Sequence, residues 1–95
     1  MTMQHRFVKV TSLYPKKDYE VEVHFDDGTV KAIDFEPVLI GPFWGELKDR
    51  NLFSQMYLDA EVGTIAWPNG ADFDPDTLYR WEEVVSALRN QLISA

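Results

Sequence analysis

The clearest pattern in the chain is a strict alternation of apolar and polar residues over residues 19–25. Its apolar positions are Tyr19, Val21, Val23 and Phe25, and its polar positions are Glu20, Glu22 and His24. Because successive side chains of a strand point to opposite faces of a sheet, this pattern predicts a half-buried antiparallel strand. Residues 7–13, ended by Pro15, and residues 29–35, ended before Pro37, predict a strand on either side of it in sequence.

Asp26-Asp27-Gly28 lies between the second and third predicted strands, and two loop geometries are compatible with it. A two-residue loop would place Val21 opposite Asp34. A three-residue loop with Gly28 in the left-handed conformation would place Val21 opposite Ile33 and Tyr19 opposite Phe35. The second geometry matches apolar residues across the ladder, so we expect it.

The crossover after the third strand carries short helical signals. Residues 37–40 predict one helical turn, stopped by Gly41-Pro42, and residues 43–47 predict a loop or short helix that packs onto the sheet. Asp49 is placed to cap a further turn in which Leu52 and Phe53 point inward.

A second hairpin follows, with predicted strands at residues 54–59 and 64–67. A four-residue loop between them would pair Leu58 with Ile65 and Met56 with Trp67, again matching apolar residues.

After Pro68 the chain is predicted to turn at Asn69-Gly70, a dipeptide suited to positive φ. Asp74 then sits as N-cap with Pro75 at the first helical position, and Asp76 suits the positive end of the helix dipole. One amphipathic helix is expected from there, with a stripe formed by Leu78, Trp81, Val85, Leu88 and Leu92.

These elements predict a single α+β domain over residues 1–95: an antiparallel β-meander, a β-hairpin, short helical turns in the crossover and one C-terminal amphipathic helix. Trp67 and Trp81 are expected in the core. For Trp44, the sequence does not decide between a core position and an exposed interface. Tyr79 lies one position off the stripe and is expected to seal the turn at Asn69-Gly70.

Composition narrows the function. The chain has no cysteine, so disulfides, thiolate metal sites and cysteine nucleophiles are excluded. It shows no signal-peptide pattern and no apolar run near membrane-span length, so we expect a cytoplasmic protein with no membrane partner. Its formal net charge of −7 argues against direct nucleic-acid binding and is compatible with a basic partner or simply with solubility.

The chain resembles the small bacterial proteins of domain-of-unknown-function family 2442. The resemblance rests on residues 67–72 (Trp-Pro-Asn-Gly-Ala-Asp) and 74–79, supported by Asp18-Tyr19, residues 25–28, residues 47–49 and Leu52-Phe53. It implies a compact α+β fold but no assigned reaction. Some members carry a C-terminal helix-turn-helix domain, which residues 80–95 are too short to form, and some are encoded beside a second small protein in a toxin–antitoxin-like arrangement. A molybdopterin-guanine dinucleotide label given to others lacks support here, because the chain has no Gly-rich nucleotide-binding loop.

Four acidic residues match the ligand spacing of an EF-hand calcium loop. They are Asp72, Asp74, Asp76 and Glu83, at its first, third, fifth and twelfth positions. Against it, threonine occupies the sixth position, where glycine should make the bend, and a proline lies within the loop. Helix capping explains Asp74 and Asp76 instead, so no metal is expected. Paired-carboxylate catalysis by Asp72 and Asp74 has no supporting constellation, and His24 is expected to be a solvated surface residue.

The sequence therefore predicts a non-enzymatic protein-interaction or regulatory module with a protein partner and no cofactor. One form of this hypothesis is the antitoxin-like half of a two-protein system. The alternative is a small-molecule or metal-binding protein, or an enzyme, that uses the loop at residues 69–76. A homo-oligomer is a third reading. The candidate functional loop comprises Trp67, Asn69, Gly70, Asp72, Asp74, Asp76 and Tyr79, of which Asp72 alone has no predicted structural role.

Overall fold

A computed structural model describes residues 8–94 of the chain. Its first sheet has three antiparallel strands in the order β1-β2-β3, namely Val10–Pro15, Glu20–Phe25 and Val30–Asp34. Val21 lies opposite Ile33, as the three-residue hairpin loop requires. The predicted register is therefore confirmed, and it places apolar side chains opposite one another on the buried face.

The first strand lies further along the chain than the sequence predicted. It extends to Pro15, which is paired with Val21, and its register shifts between Val10 and Ser12. Pro15 ends the strand, as predicted, but the strand includes Tyr14 and Pro15 and does not stop at Leu13. Because β1 lies at an edge of this sheet, it tolerates a residue without an N–H. Residue 7, the predicted start, lies outside the described residues.

The crossover forms two 3₁₀ helices, Glu36–Val38 and Trp44–Lys48, and a short helix α1, Arg50–Phe53. The predicted cap at Asp49 is confirmed, since its Oδ1 accepts a 2.9 Å hydrogen bond from the N–H of Asn51. The side chains that this crossover buries most deeply are Val38, Leu39, Leu47 and Phe53, and Leu52 is half-buried.

The second hairpin consists of β4, Tyr57–Asp59, and β5, Thr64–Ala66. Leu58 pairs with Ile65, as predicted, but the ladder ends at Tyr57 and Ala66. The predicted pairing of Met56 with Trp67 was wrong, because the Trp67 N–H donates to the Ala71 carbonyl at 2.9 Å instead.

β4 also begins later than predicted, because the chain continues to coil after α1. The N–H of Ser54 donates to the Arg50 carbonyl at 3.0 Å, and the N–H of Gln55 donates to the Leu52 carbonyl at 3.0 Å. These bonds hold residues 54 and 55 in turns, so the extended strand can start only beyond them.

The predicted C-terminal helix is divided into α2, Pro75–Tyr79, and α3, Trp81–Ser94. Arg80 interrupts it with φ −107° and ψ 28°. Asp74 is the N-cap and Pro75 opens α2, as predicted, although the Asp74 side chain makes no capping hydrogen bond. Within residues 8–94, no helix has the length and apolar character needed to cross a bilayer.

One hydrophobic cluster joins the first sheet, the crossover, the second hairpin and the helices. Phe35 lies at its centre, fully buried, with ring centroids at 5.7 Å from Trp67, 5.3 Å from Phe73 and 5.2 Å from Trp81. Trp67 and Trp81 are 1% and 6% exposed, which confirms their prediction as core residues. Edge-to-face and tilted contacts of this kind stabilise a core beyond the area that the rings bury.

Candidate functional site

The Trp67-Pro68-Asn69-Gly70 stretch contains a three-residue hairpin loop, residues 68–70. The Gly70 N–H donates to the Trp67 carbonyl at 3.0 Å, and the Trp67 N–H donates to the Ala71 carbonyl at 2.9 Å. Asn69 Oδ1 accepts a 3.0 Å hydrogen bond from the Ala71 N–H, and Gly70 has φ +93°. The predicted chain reversal at Asn69-Gly70 is confirmed, with glycine supplying the left-handed residue.

The first hairpin closes with the same geometry. The Gly28 N–H donates to the Phe25 carbonyl at 3.0 Å, and the Phe25 N–H donates to the Thr29 carbonyl at 2.9 Å. Asp27 Oδ1 accepts from the Thr29 N–H at 2.9 Å, and Gly28 has φ +91°. An acid or amide followed by glycine thus performs one structural task in both loops, and backbone geometry accounts for Asn69 and Gly70.

Two side chains tie the second loop to the crossover. The Asn69 Nδ2 donates to Glu46 Oε1 at 2.9 Å, and the Trp67 Nε1–H donates to the Phe53 carbonyl at 2.9 Å. Both groups are therefore occupied within the fold, and their roles in it are structural.

Tyr79 seals the first hairpin, so its predicted position over Asn69-Gly70 was wrong. Its hydroxyl donates to Asp27 Oδ2 at 2.6 Å and lies 3.3 Å from Thr29 Oγ1. Its ring meets the Phe25 ring edge to face at 5.0 Å.

The aspartates of the predicted functional loop have separate surroundings. Asp72 forms an isolated backbone bridge with Ala66, so the residue expected to lack a structural role has one through its main chain. Its side chain is exposed, and so is that of Asp74. Asp76 forms an ion pair with Arg80 at 3.1 Å.

The calcium spacing does not assemble a site. Arg80 also contacts Glu83 at 3.3 Å, so the fifth and twelfth positions of that spacing both bind a guanidinium. The hydrogen bonds that the Arg80 guanidinium donates, first to Asp76 and then to Glu83, raise the pKa of Arg80. Among residues 8–94, no group of three or more histidine, aspartate or glutamate side chains is placed to hold a metal ion.

His24 lies on the outer face of the first sheet, as predicted, where its Nε2 is 2.6 Å from Glu22 Oε2. Lys16 approaches the other oxygen of Glu22 at 3.5 Å. The hydrogen bond with His24, with a smaller contribution from Lys16, lowers the pKa of Glu22 despite some opposing desolvation.

A concave surface lies elsewhere, beside Trp44, where this side chain lines two cavities. A cavity of about 570 Å³ is lined by Ile40, Gly41, Pro42, Phe43, Trp44, Arg89, Leu92 and Ile93. A second of about 270 Å³ is lined by Val38, Trp44, Asp72, Phe73, Asp74, Thr77, Leu88, Gln91 and Leu92. Because they share Trp44 and Leu92, we treat the two cavities as one surface, the Trp44 groove.

Ring contacts hold Trp44 in this groove. Its ring lies 4.8 Å from that of buried Phe73, tilted by 33°, and meets the Phe43 ring nearly edge to face at 5.4 Å. Trp44 is half-buried, whereas Phe43 is 43% and Ile93 is 60% exposed. The open question about Trp44 is thereby answered: one side of its ring packs on the core and the rest lines an open surface.

The two cavities differ in charge. In the larger one, Arg89 Nη1 donates to the Pro37 carbonyl at 2.8 Å, which joins α3 to the crossover. In the smaller one, the Asp72 and Asp74 carboxylates have no hydrogen bond or ion pair within the described part of the chain.

Sequence reasoning missed Ile40, Arg89 and Ile93 as members of a surface site. One signal was available: Ile93 is apolar but follows Leu92 directly, so it lies off the buried stripe of the helix. An apolar residue outside the stripe is a candidate for an exposed surface.

The fold and the groove define a small α+β protein with an open apolar surface bordered by carboxylates. The profile of the family described as "Protein of unknown function (DUF2442)" matches residues 10–84, so the chain belongs to that family. Searches of curated proteins and of solved structures gave no match.

Proposed function

We propose that this chain is a non-enzymatic protein-interaction module that binds its partner in the Trp44 groove. The observation that carries the proposal is the exposure of Phe43 and Ile93, which line the larger cavity together with a half-buried Trp44. Aromatic side chains anchored in a pocket supply much of the affinity of protein interfaces. Exposed apolar side chains gathered around a concavity are typical of such surfaces.

The rigidity of the groove also supports binding without a large rearrangement. Phe73 is buried behind Trp44, and the Arg89–Pro37 hydrogen bond joins α3 to the crossover. The side chains of the groove are therefore already ordered in the free protein, so little conformational entropy would be lost when a partner binds.

The biological setting that we propose is regulatory: a cytoplasmic protein that acts as the antitoxin-like half of a two-protein system. The arrangement of some family members beside a second small protein supports this setting. So does the formal net charge of −7, which favours encounter with a basic partner.

The test is co-purification of the tagged chain from cells of its source organism, comparing wild type with Ile93→Asp. Val62→Asp is the matched control, because Val62 is 52% exposed and lies in the loop after β4, away from the groove. We expect wild type and control to retain one identified protein that re-forms a complex from purified components. Ile93→Asp should weaken that complex about tenfold or more.

Equal binding by Ile93→Asp and wild type would contradict the proposal. Reconstitution of no complex from purified components would contradict it too, and light scattering in the same series would reveal a second copy of this chain as the occupant.

A small-molecule ligand is the second candidate, favoured by the cavity of about 270 Å³ beside Asp72 and Asp74. This volume is slightly below the range of roughly 300–1,000 Å³ that is typical of ligand pockets. Titration with calcium, magnesium and nucleotides while following tryptophan fluorescence and Tm tests it. No change in either signal would count against this candidate.

A further inference from the structure

We infer that the partner segment seated in the Trp44 groove is a basic amphipathic helix, whose lysine or arginine side chains face Asp72 and Asp74. This inference rests on the proposed function and specifies the chemistry of the partner. It is carried by charge complementarity and by the nature of the groove walls.

The charge at the smaller cavity is uncompensated. Asp72 and Asp74 are both exposed, and their carboxylates have no partner within residues 8–94. Asp74 even occupies an N-cap position without making the capping hydrogen bond. Both carboxylates are therefore available to cations of another molecule.

The neighbouring acidic side chains, in contrast, are paired with cations of the same chain. Asp76 and Glu83 bind Arg80, and Glu82 contacts Lys31 at 2.7 Å. The pair with Lys31 lowers the pKa of Glu82. The fold thus neutralises the carboxylates at the start of α3 and leaves the two beside the groove unpaired.

The larger cavity requires an apolar partner surface. Apart from Arg89, whose guanidinium binds the Pro37 carbonyl, its walls are apolar side chains and the backbone of the loop at residues 40–44. A segment that fills both cavities needs apolar side chains over Phe43 and Ile93 and cations over Asp72 and Asp74. That division of polarity is the definition of a basic amphipathic segment.

The walls also favour a helix over an added strand. Strand addition needs an exposed sheet edge whose backbone groups are unpaired. One wall of the groove is the side of α3, where Leu88 and Leu92 are four residues apart, and the other contains the 3₁₀ helix Trp44–Lys48. Neither presents a strand edge, so recognition there proceeds through side chains, as in helix-in-groove complexes.

The experiment uses two synthetic peptides of about 15 residues, long enough for a marginal helix. Both carry the same leucine face, and their polar positions are all lysine in one and all glutamate in the other. Fluorescence anisotropy of labelled peptides gives Kd, and the indole N–H resonance of Trp44, assigned with Trp44→Phe, reports binding at the groove. We expect the lysine peptide to bind about tenfold more tightly at low salt.

The protein variant is the double substitution Asp72→Asn and Asp74→Asn. Asparagine keeps the shape of aspartate and is an equally good N-cap residue, so the fold should be retained. The control is Glu20→Gln with Glu61→Gln, which removes the same charge from positions that do not line the groove. We expect the preference for lysine to disappear in the first variant and to persist in the control.

Equal binding of both peptides at Trp44 would overturn the inference of a basic partner while leaving the proposed function intact. Binding of neither peptide would also overturn the inference. If both double variants lost the preference for lysine to the same extent, the overall charge of the protein would explain that preference, and the assignment to Asp72 and Asp74 would be overturned. The proposed function itself is judged separately, by the co-purification of Ile93→Asp.

Discussion

The Tyr79 hydroxyl donates a 2.6 Å hydrogen bond to Asp27 Oδ2, joining residues 52 positions apart in the chain. Asp27 also accepts from the Thr29 N–H through its other oxygen, so one carboxylate both closes the first hairpin and holds α2 against it. Lys31 lies 5.9 Å above the Tyr79 ring and pairs with Glu82. These contacts join α2 and α3 to the first sheet and its hairpin loop.

Tyr79→Phe should lower the free energy of unfolding by about 1 kcal/mol, because it removes the hydrogen bond but keeps the ring against Phe25. Urea denaturation measures the change. A double-mutant cycle with Asp27→Asn isolates the coupling between the two side chains. Strictly additive effects in that cycle would show that the hydrogen bond contributes no stability.

Gly28→Ala and Gly70→Ala should destabilise the protein by similar amounts, about 1–2 kcal/mol each, since an L-residue is disfavoured at positive φ. A Cβ at either position would meet no atom within 4 Å, so the backbone alone sets the cost. Thermal or urea unfolding of both variants checks this. A difference well above 1 kcal/mol would contradict the equivalence of the two loops.

Glu22→Gln should weaken the dependence of the free energy of unfolding on pH in the acid range. The pKa of Glu22 is lowered in the folded state, chiefly by its hydrogen bond with His24. A lowered folded-state pKa contributes stability that is present above the unfolded pKa, near 4.5, and is lost as the pH falls through the folded value. The urea midpoints of variant and wild type should therefore differ at pH 6 and converge in the acid range.

Glu20→Gln is the control for that measurement, because it removes a carboxylate from the same strand without touching His24. If Glu22→Gln kept the wild-type pH dependence of stability in the acid range, the attribution of that dependence to the Glu22–His24 pair would be contradicted.

Thr64→Val should destabilise the protein by about 1–3 kcal/mol, because a buried carbonyl would lose its partner. Thr64 is 1% exposed, and its hydroxyl donates to the Phe73 carbonyl. Since Phe73 supports Trp44, the variant should also shift the Trp44 indole resonance. Thr64→Ser, which keeps the hydroxyl, should retain that resonance; an unchanged signal in Thr64→Val would show that the groove does not depend on this bond.

Local sequence determined much of the architecture. The alternation at residues 19–25 and the loop at residues 26–28 predicted the register of Val21 with Ile33, which the structure confirms. Asp49 was recognised as a cap, and Asn69-Gly70 as a chain reversal. Each of these features depends on residues that are neighbours in the chain or face one another across a short hairpin, so pattern and turn chemistry were sufficient.

Tertiary structure decided the rest. The hydrogen-bond partner of Tyr79 is Asp27, 52 positions away in the chain, so no local pattern could indicate it. The Trp44 groove arises only because α3 packs beside the crossover, which brings Ile93 toward Phe43 around the Trp44 ring. A periodic pattern identifies which face of a helix is buried, but the surface that two packed elements form at their border is set by their relative placement.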